Sequence, residues 1–210
     1  MISGADRAPR LGDFVNAAWE RITDFGKIRA GSRRASRFGR FGPGSTICFP
    51  VAALFGERYI HIGDGSVIGP HSSLSAGVGP GDVPPRDPAV VIGSHTVIGK
   101  GSDIVGQLSV EIGDDVWTGP YVYITDANHG YEDVKVPPGK QFAPRKPVRI
   151  EDGAWLGTGV VVLPGATIGR HAVIGARAVV VGEIPAFSVA VGNPARVVRQ
   201  YIDGEWQSVD

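Results

Sequence analysis

VLPGATIGRHAVIGARAV, residues 162–179, decides how the chain folds. It divides into three hexads that begin at Val162, Ile168 and Ile174. The fifth place of each is alanine: Ala166, Ala172 and Ala178. A period of six fits neither an amphipathic helix nor an alternating strand. It fits a short strand plus a turn, with the first residue pointing inward and a small residue filling the corner. Glycine in second place, as at Gly169 and Gly175, relieves crowding or permits unusual backbone angles.

The same unit recurs outward from this stretch. Hexads start at 62, 68, 74; 92, 98, 104; 112, 118, 124; 150, 156, 162; and 168, 174, 180. All but one start are Ile, Leu or Val, the exception being Thr118. Three units make one triangular coil, and coils stack because none can bury its apolar face alone. The expectation is an all-β solenoid, a parallel β-helix of about five triangular coils. The spacing between blocks places insertions after 74, 104 and 124, and one phase sends all three out at the same corner. Insertions on a rigid scaffold carry function more often than the scaffold does.

Three segments follow from this reading. Residues 1–58 form an N-terminal helical and extended segment, 59–191 the β-helix with loops 75–91 and 125–149, and 192–210 a C-terminal helix and tail. Leu11, Phe14, Val15, Ala18, Trp19, Ile22 and Phe25 recur at helical spacing. They predict an amphipathic helix over about 11–24 that covers an end or side of the solenoid. Between Lys27 and Arg40 stand six basic residues and no acidic one, either a solvated connector or a contact for an acidic acceptor or membrane surface. ARVVRQYI, 195–202, reads as a closing helix.

Composition narrows the class. Lys plus Arg and Asp plus Glu both number 21, so the global basic excess expected of a nucleic-acid binder is missing. Cys48 is the single cysteine, the opening MISGADRAPRLGDF has no apolar core of a secretory signal, and no run is long enough to span a membrane as a helix. These point to the cytoplasm.

Against the apolar rhythm, ITDANHGYED at 124–133 is polar, with His129 at its centre. Alone, a histidine on a polar loop is most often solvated. The hexads, the Gly-Ala-Trp-Leu-Gly run at 153–157, the Val-Leu-Pro-Gly-Ala-Thr-Ile-Gly run at 162–169 and the Gly-Asn-Pro-Ala-Arg run at 192–196 add context. Together they resemble the hexapeptide-repeat acyltransferases, nearest the maltose, galactoside and exopolysaccharide O-acetyltransferase branch. The resemblance implies a left-handed β-helix, acetyl-CoA as acyl donor with no metal required, and a homotrimer with active sites between subunits. His129 matches the family's general base, which takes a proton from an acceptor hydroxyl as that oxygen attacks the thioester.

Further roles follow by resemblance. Trp155, Gly157, Thr158, Ala176, Val181, Arg196 and Arg199 match the cofactor side, with Ala176 small where the pantetheine arm passes and the two arginines placed for phosphates. Val181-Gly182 stands where many relatives have Thr-Lys, which leaves one phosphate contact in doubt. Gln107 aligns with an acidic acceptor-binding residue of galactoside-type relatives, so the acceptor contacts differ. Asp126, Asn128, Tyr131 and Glu132 flank the histidine and are candidates to orient it or hold a saccharide acceptor. Transfer to the amine of an amino sugar, or to a xenobiotic, is the alternative. A zinc-dependent γ-type carbonic anhydrase is disfavoured, because no two of His61, His71, His95, His129 and His171 are five residues apart. A solenoid that has lost catalysis is a third reading.

Overall fold

The computed structural model describes residues 11–209. Short parallel strands form three sheets that wrap one apolar interior. Face 1 contains Arg40–Phe41, Ile60–Ile62, Val90–Ile92, Val110–Ile112, Val148–Ile150, Thr167–Ile168 and Glu183–Ile184. Face 2 contains Thr46–Ile47, Val67–Ile68, Val97–Ile98, Trp117–Thr118, Trp155–Leu156, Val173–Ile174 and Ser188–Val191. Face 3 contains Ala53–Phe55, Ser73–Ala76, Asp103–Gly106, Tyr123–Thr125, Val161–Val162 and Val179–Val180. The chain visits the faces in the order 1, 2, 3 and repeats.

The hexad starts point inward as the pattern requires. Ile62, Ile68, Leu74, Ile92, Ile98, Ile104, Ile112 and Ile124 are fully enclosed. Thr118 explains its own exception: its hydroxyl sits at the wall and accepts the Gly99 N–H at 2.9 Å. At the corners the small residues also bond. Ser66 Oγ donates to the Gly93 carbonyl at 2.7 Å and accepts the Thr96 N–H at 3.0 Å. Thr96 repeats this one coil later with Gly113 and Val116. The later coils use Ala154, Ala166, Ala172 and Ala178, all buried.

Glycine is obligatory where coils touch. A Cβ on Gly157 would lie 2.6 Å from the Ala176 nitrogen, and one on Gly119 2.6 Å from that of Thr158. Elsewhere a turn residue with positive φ lays a ring over a glycine of the previous coil. His171 (φ 54) covers Gly153 (φ +66), and Tyr121 (φ 60) covers Gly101. Phe187 stacks on His171 in turn, with centroids 5.4 Å apart.

Three expectations change. Among the described residues there are six complete coils and a partial seventh, because a coil precedes the first hexad counted. Phe41 and Leu54 pair with Ile62 and Leu74, so the solenoid begins at Arg40 and the expected 58/59 boundary falls one coil late. That coil escapes the pattern because it begins with Phe and carries an extra residue between Ile47 and Leu54. The C-terminal helix is absent: Arg196–Ile202 and Glu205–Ser208 form an antiparallel hairpin that extends face 2. Val197, Val198, Tyr201 and Ile202 favour a strand, and Asp203-Gly204, both at positive φ, is a two-residue hairpin turn. The N-terminal helix, α1, runs Leu11–Gly26, yet none of its residues is buried and it covers no face of its own chain. The parts of these segments at 1–10 and 210 lie outside the described residues.

Gly153→Ala should cost about 1–3 kcal/mol, from a left-handed backbone and a Cβ 2.6 Å from the His171 ring. Adding His171→Ala should return part of it in urea unfolding. Equal losses in single and double variants would show that the ring contact contributes nothing.

Candidate active site

All three insertions leave at the corner between faces 3 and 1. They are 77–89, the short 107–109 turn and 126–147, each joining a face 3 strand to a face 1 strand. Side chains tie them together. The enclosed Asp126 carboxylate accepts the N–H groups of Gln107 (2.8 Å), Leu108 (2.7 Å) and Ser109 (2.6 Å). From the first insertion, Arg86 donates to Ser109 Oγ at 2.7 Å and pairs with Glu111 at 2.8 Å. From the third, Arg145 Nε donates to Gln107 Oε1 at 3.2 Å.

On this platform the 126–147 loop folds back as a narrow ribbon. Gly130 N–H donates to the Gln141 carbonyl, and Ala143 N–H to that of Asn128. His129 bridges Phe142 across the ribbon, and their rings lie 6.0 Å apart. His129 Nδ1 is 3.1 Å from the Gln141 carbonyl oxygen. A carbonyl only accepts, so Nδ1 must carry the proton there, which leaves the Nε2 lone pair free in the neutral ring. The Gln141 side chain steadies its own backbone, donating to the carbonyls of Asp133 (2.9 Å) and Val136 (2.6 Å). A cavity of about 150 Å³ opens here, lined by Val105, Gln107, Tyr123, Thr125, Asn128, His129 and Phe142 among others.

The flanking candidates separate. Gln107 and Asn128 line the cavity with His129. Asp126 does not: it is enclosed, its carboxylate spent on backbone amides, and it holds a turn rather than a substrate. Tyr131 is exposed and outside the lining. Glu132 accepts the Tyr131 N–H at 2.9 Å, and that bond holds its carboxyl below the usual carboxylate range. It turns toward its own backbone rather than toward the imidazole.

The cofactor candidates do not converge on His129 within one chain. Gly157, Thr158 and Ala176 stack at the corner between faces 2 and 3, the last two exposed. Face 3 separates that corner from the His129 corner, a strand length of about 15 Å. Val181 shares the His129 corner, two coils further along. Trp155 stands half-exposed on face 2, in register with Trp117. Arg196 and Arg199 are exposed on the terminal hairpin; Arg199 lies over the Trp206 ring at 5.9 Å. Gln141, Phe142, Tyr123 and Arg145 complete the His129 surroundings and were not singled out from sequence. Only Tyr123, an outward residue of the strand leading into the loop, carried a positional signal.

The chain matches two family models, the bacterial transferase hexapeptide (six repeats) over 147–182 and the hexapeptide repeat of succinyl-transferase over 89–125. A relative named a probable acetyltransferase of Mycobacterium tuberculosis is 38% identical over 149 residues, covering 71% of this chain and 45% of the relative. The galactoside O-acetyltransferase of Lactococcus lactis is 38% identical over 107 residues, 51% of each chain. The chain thus spans about half the length of the curated relatives it matches. An N-acyltransferase from Bacillus cereus, solved with dTDP and coenzyme A, superposes with TM-score 0.66 at 18% identity, covering 80% of this chain and 87% of that one. A hexapeptide-repeat acetyltransferase from Vibrio cholerae gives TM-score 0.55 at 23% identity over 93% and 96%. The fold is therefore the left-handed β-helix of such transferases. The chain thus carries hexapeptide repeats over 89–125 and 147–182, and its sequence is similar to proteins named acetyltransferases.

Asp126→Asn should lower stability by about 1.5–3 kcal/mol in urea unfolding, since a neutral amide cannot accept all three N–H groups. An unchanged midpoint would mean the 107–109 turn holds without the carboxylate.

Proposed function

We propose that the protein transfers an acetyl group from acetyl-CoA to a hydroxyl of a sugar or polysaccharide precursor, with His129 as general base. The observation that carries this is the Gln141 carbonyl at Nδ1, which leaves Nε2 as the basic atom beside an open cavity. An acceptor O–H gives its proton to Nε2 as its oxygen attacks the thioester carbonyl. The tetrahedral oxyanion collapses, the C–S bond breaks, and the imidazolium returns the proton to the departing thiolate of coenzyme A. Gln107 and Asn128 offer amide groups to neighbouring acceptor hydroxyls.

Coenzyme A binding falls to Trp155, Gly157, Thr158, Ala176, Val181, Arg196 and Arg199. The B. cereus neighbours bind coenzyme A or 3-hydroxybutyryl-CoA, which supports an acyl-CoA donor. Thr158 and Ala176 lie across face 3 from His129, so one chain does not complete the site. A second copy that brings its faces 2–3 corner to the first copy's His129 would, and a homotrimer supplies three such sites. No metal enters the scheme. The fold-level neighbours include one bound to dTDP-4-amino-4,6-dideoxyglucose, which favours transfer to an amine as the second reading. Both reactions need the same base.

In a thiol-release assay with acetyl-CoA and a panel of sugars and amino sugars, His129→Ala should lose about 10²–10⁴-fold in kcat. Equal rates in both proteins would remove His129 from the chemistry. Ala176→Trp should raise KM for acetyl-CoA at least tenfold, an estimate of about 1.4 kcal/mol or more, with the acceptor KM little changed. An unaltered acetyl-CoA KM would place the pantetheine arm elsewhere.

A further inference from the structure

α1 leaves most of its apolar side uncovered, meeting the rest of the chain only near Phe49 at its C-terminal end. Leu11, Phe14, Val15, Trp19, Ile22 and Phe25 are each more than half exposed. At 100° per residue they occupy one side of the helix, and Asp13, Glu20 and Asp24 fall on the opposite side. Arg21 stands at the border, sharing a shallow apolar recess with Ile22, Phe25 and Phe49. A helix with aromatic and aliphatic residues on one side and charge on the other matches the geometry of one lying in a lipid–water interface. α1 has 16 residues, and no helix among the described residues is long and apolar enough to cross a membrane.

The segment that follows supplies the charge. Ile28, Ala35 and Phe38 are buried at the first coil, which anchors it there. Its basic side chains remain outside. Lys27 and Arg29 pair with Asp24, and Arg40 with Asp64. Arg33 and Arg34 are exposed and have no ion-pair partner among the described residues. Over 11–40 seven basic residues stand against three acidic ones, in a chain whose net charge is zero. The excess is therefore local, in the segment that directly follows α1.

We propose that α1 and the 27–40 segment dock the protein onto an anionic lipid surface, with the aromatic side of α1 in the interface and Arg33 and Arg34 on lipid phosphates. Charge decides between this and a second copy of the chain. A second copy also offers an apolar strip on face 2, at Val67, Val97, Trp117 and Trp155. Most of the acids beside that strip already have partners within the chain, the exposed Asp115 having only His95 at 4.0 Å. Asp64 holds Arg40, Asp114 accepts the Ser94 N–H, and Asp152 accepts that of Asp114. The inference goes beyond the acetyl-transfer reading and does not depend on His129.

The test is flotation of the full chain with vesicles of phosphatidylglycerol and phosphatidylcholine in equal parts, beside pure phosphatidylcholine, with the molar mass of each protein followed by light scattering. The wild type should float with the anionic vesicles only, and added salt should weaken binding. Trp19→Glu with Ile22→Glu, and separately Arg33→Glu with Arg34→Glu, should each bind at least about tenfold more weakly. Their mass should be unchanged, and so should their melting, because Trp19 and Ile22 are each more than half exposed and Arg33 and Arg34 are exposed. Absence of binding by the wild type, or equal binding to neutral vesicles, would overturn the proposal. So would a fall in mass by whole subunits in the Trp19 and Ile22 variant, which would mean that another copy covers the helix.

Discussion

Every coil lies one backbone spacing above the last, and that stacking distance governs the rest of the molecule. At the corners the chain turns so tightly that a glycine α-carbon meets the next coil's backbone directly. Gly119 against Thr158 and Gly157 against Ala176 leave no room for a side chain. Burial of isoleucine drives the coils together, while the glycines allow them to meet. The result is a scaffold with little freedom in register. A one-residue slip would turn Ile92, Ile112 and Ile150, stacked on face 1, out of the core.

Rigid register gives the faces 3–1 corner its importance. Beyond two extra residues between Leu54 and Ile62 in the first coil, the chain departs from its period there three times, and nowhere inside the other corners to the extent of the two long loops. Asp126, Arg86 and Arg145 stitch the three departures into one platform. His129 thus stands on a loop, yet its position is set by the coils beneath it. The Gln141 carbonyl then fixes which imidazole nitrogen holds the proton. A loop of ordinary freedom would require ordering before reaction, and a pre-formed ribbon avoids that cost.

The hexads made the scaffold legible because one glycine and one apolar residue recur at a spacing no other element uses. The first coil was missed because Phe41 and an extra residue blur that spacing, although its pairing is the same. ARVVRQYI was misread as a helix, with Asp203-Gly204 overlooked as the turn that makes it half of a hairpin. The place of His129 was readable from the break in rhythm. Its partner was not, since Gln141 acts through a backbone carbonyl, a group every residue carries. Asp126 shows the opposite failure: its residue type suggests a ligand contact, and only three-dimensional structure reveals the three amides it satisfies. One sequence also carries no sign of which corners lie together: Thr158 and Ala176 match the family's cofactor residues, yet the fold sets them across face 3 from His129.

The most direct measurement is the tautomer of His129, read from the nitrogen-15 shifts of its ring at a pH about two units above the ordinary imidazole range. The account requires the proton on Nδ1 and an unprotonated Nε2, with Gln141 as the partner. A proton on Nε2 would contradict it, because the atom assigned to take the acceptor's proton would already be occupied.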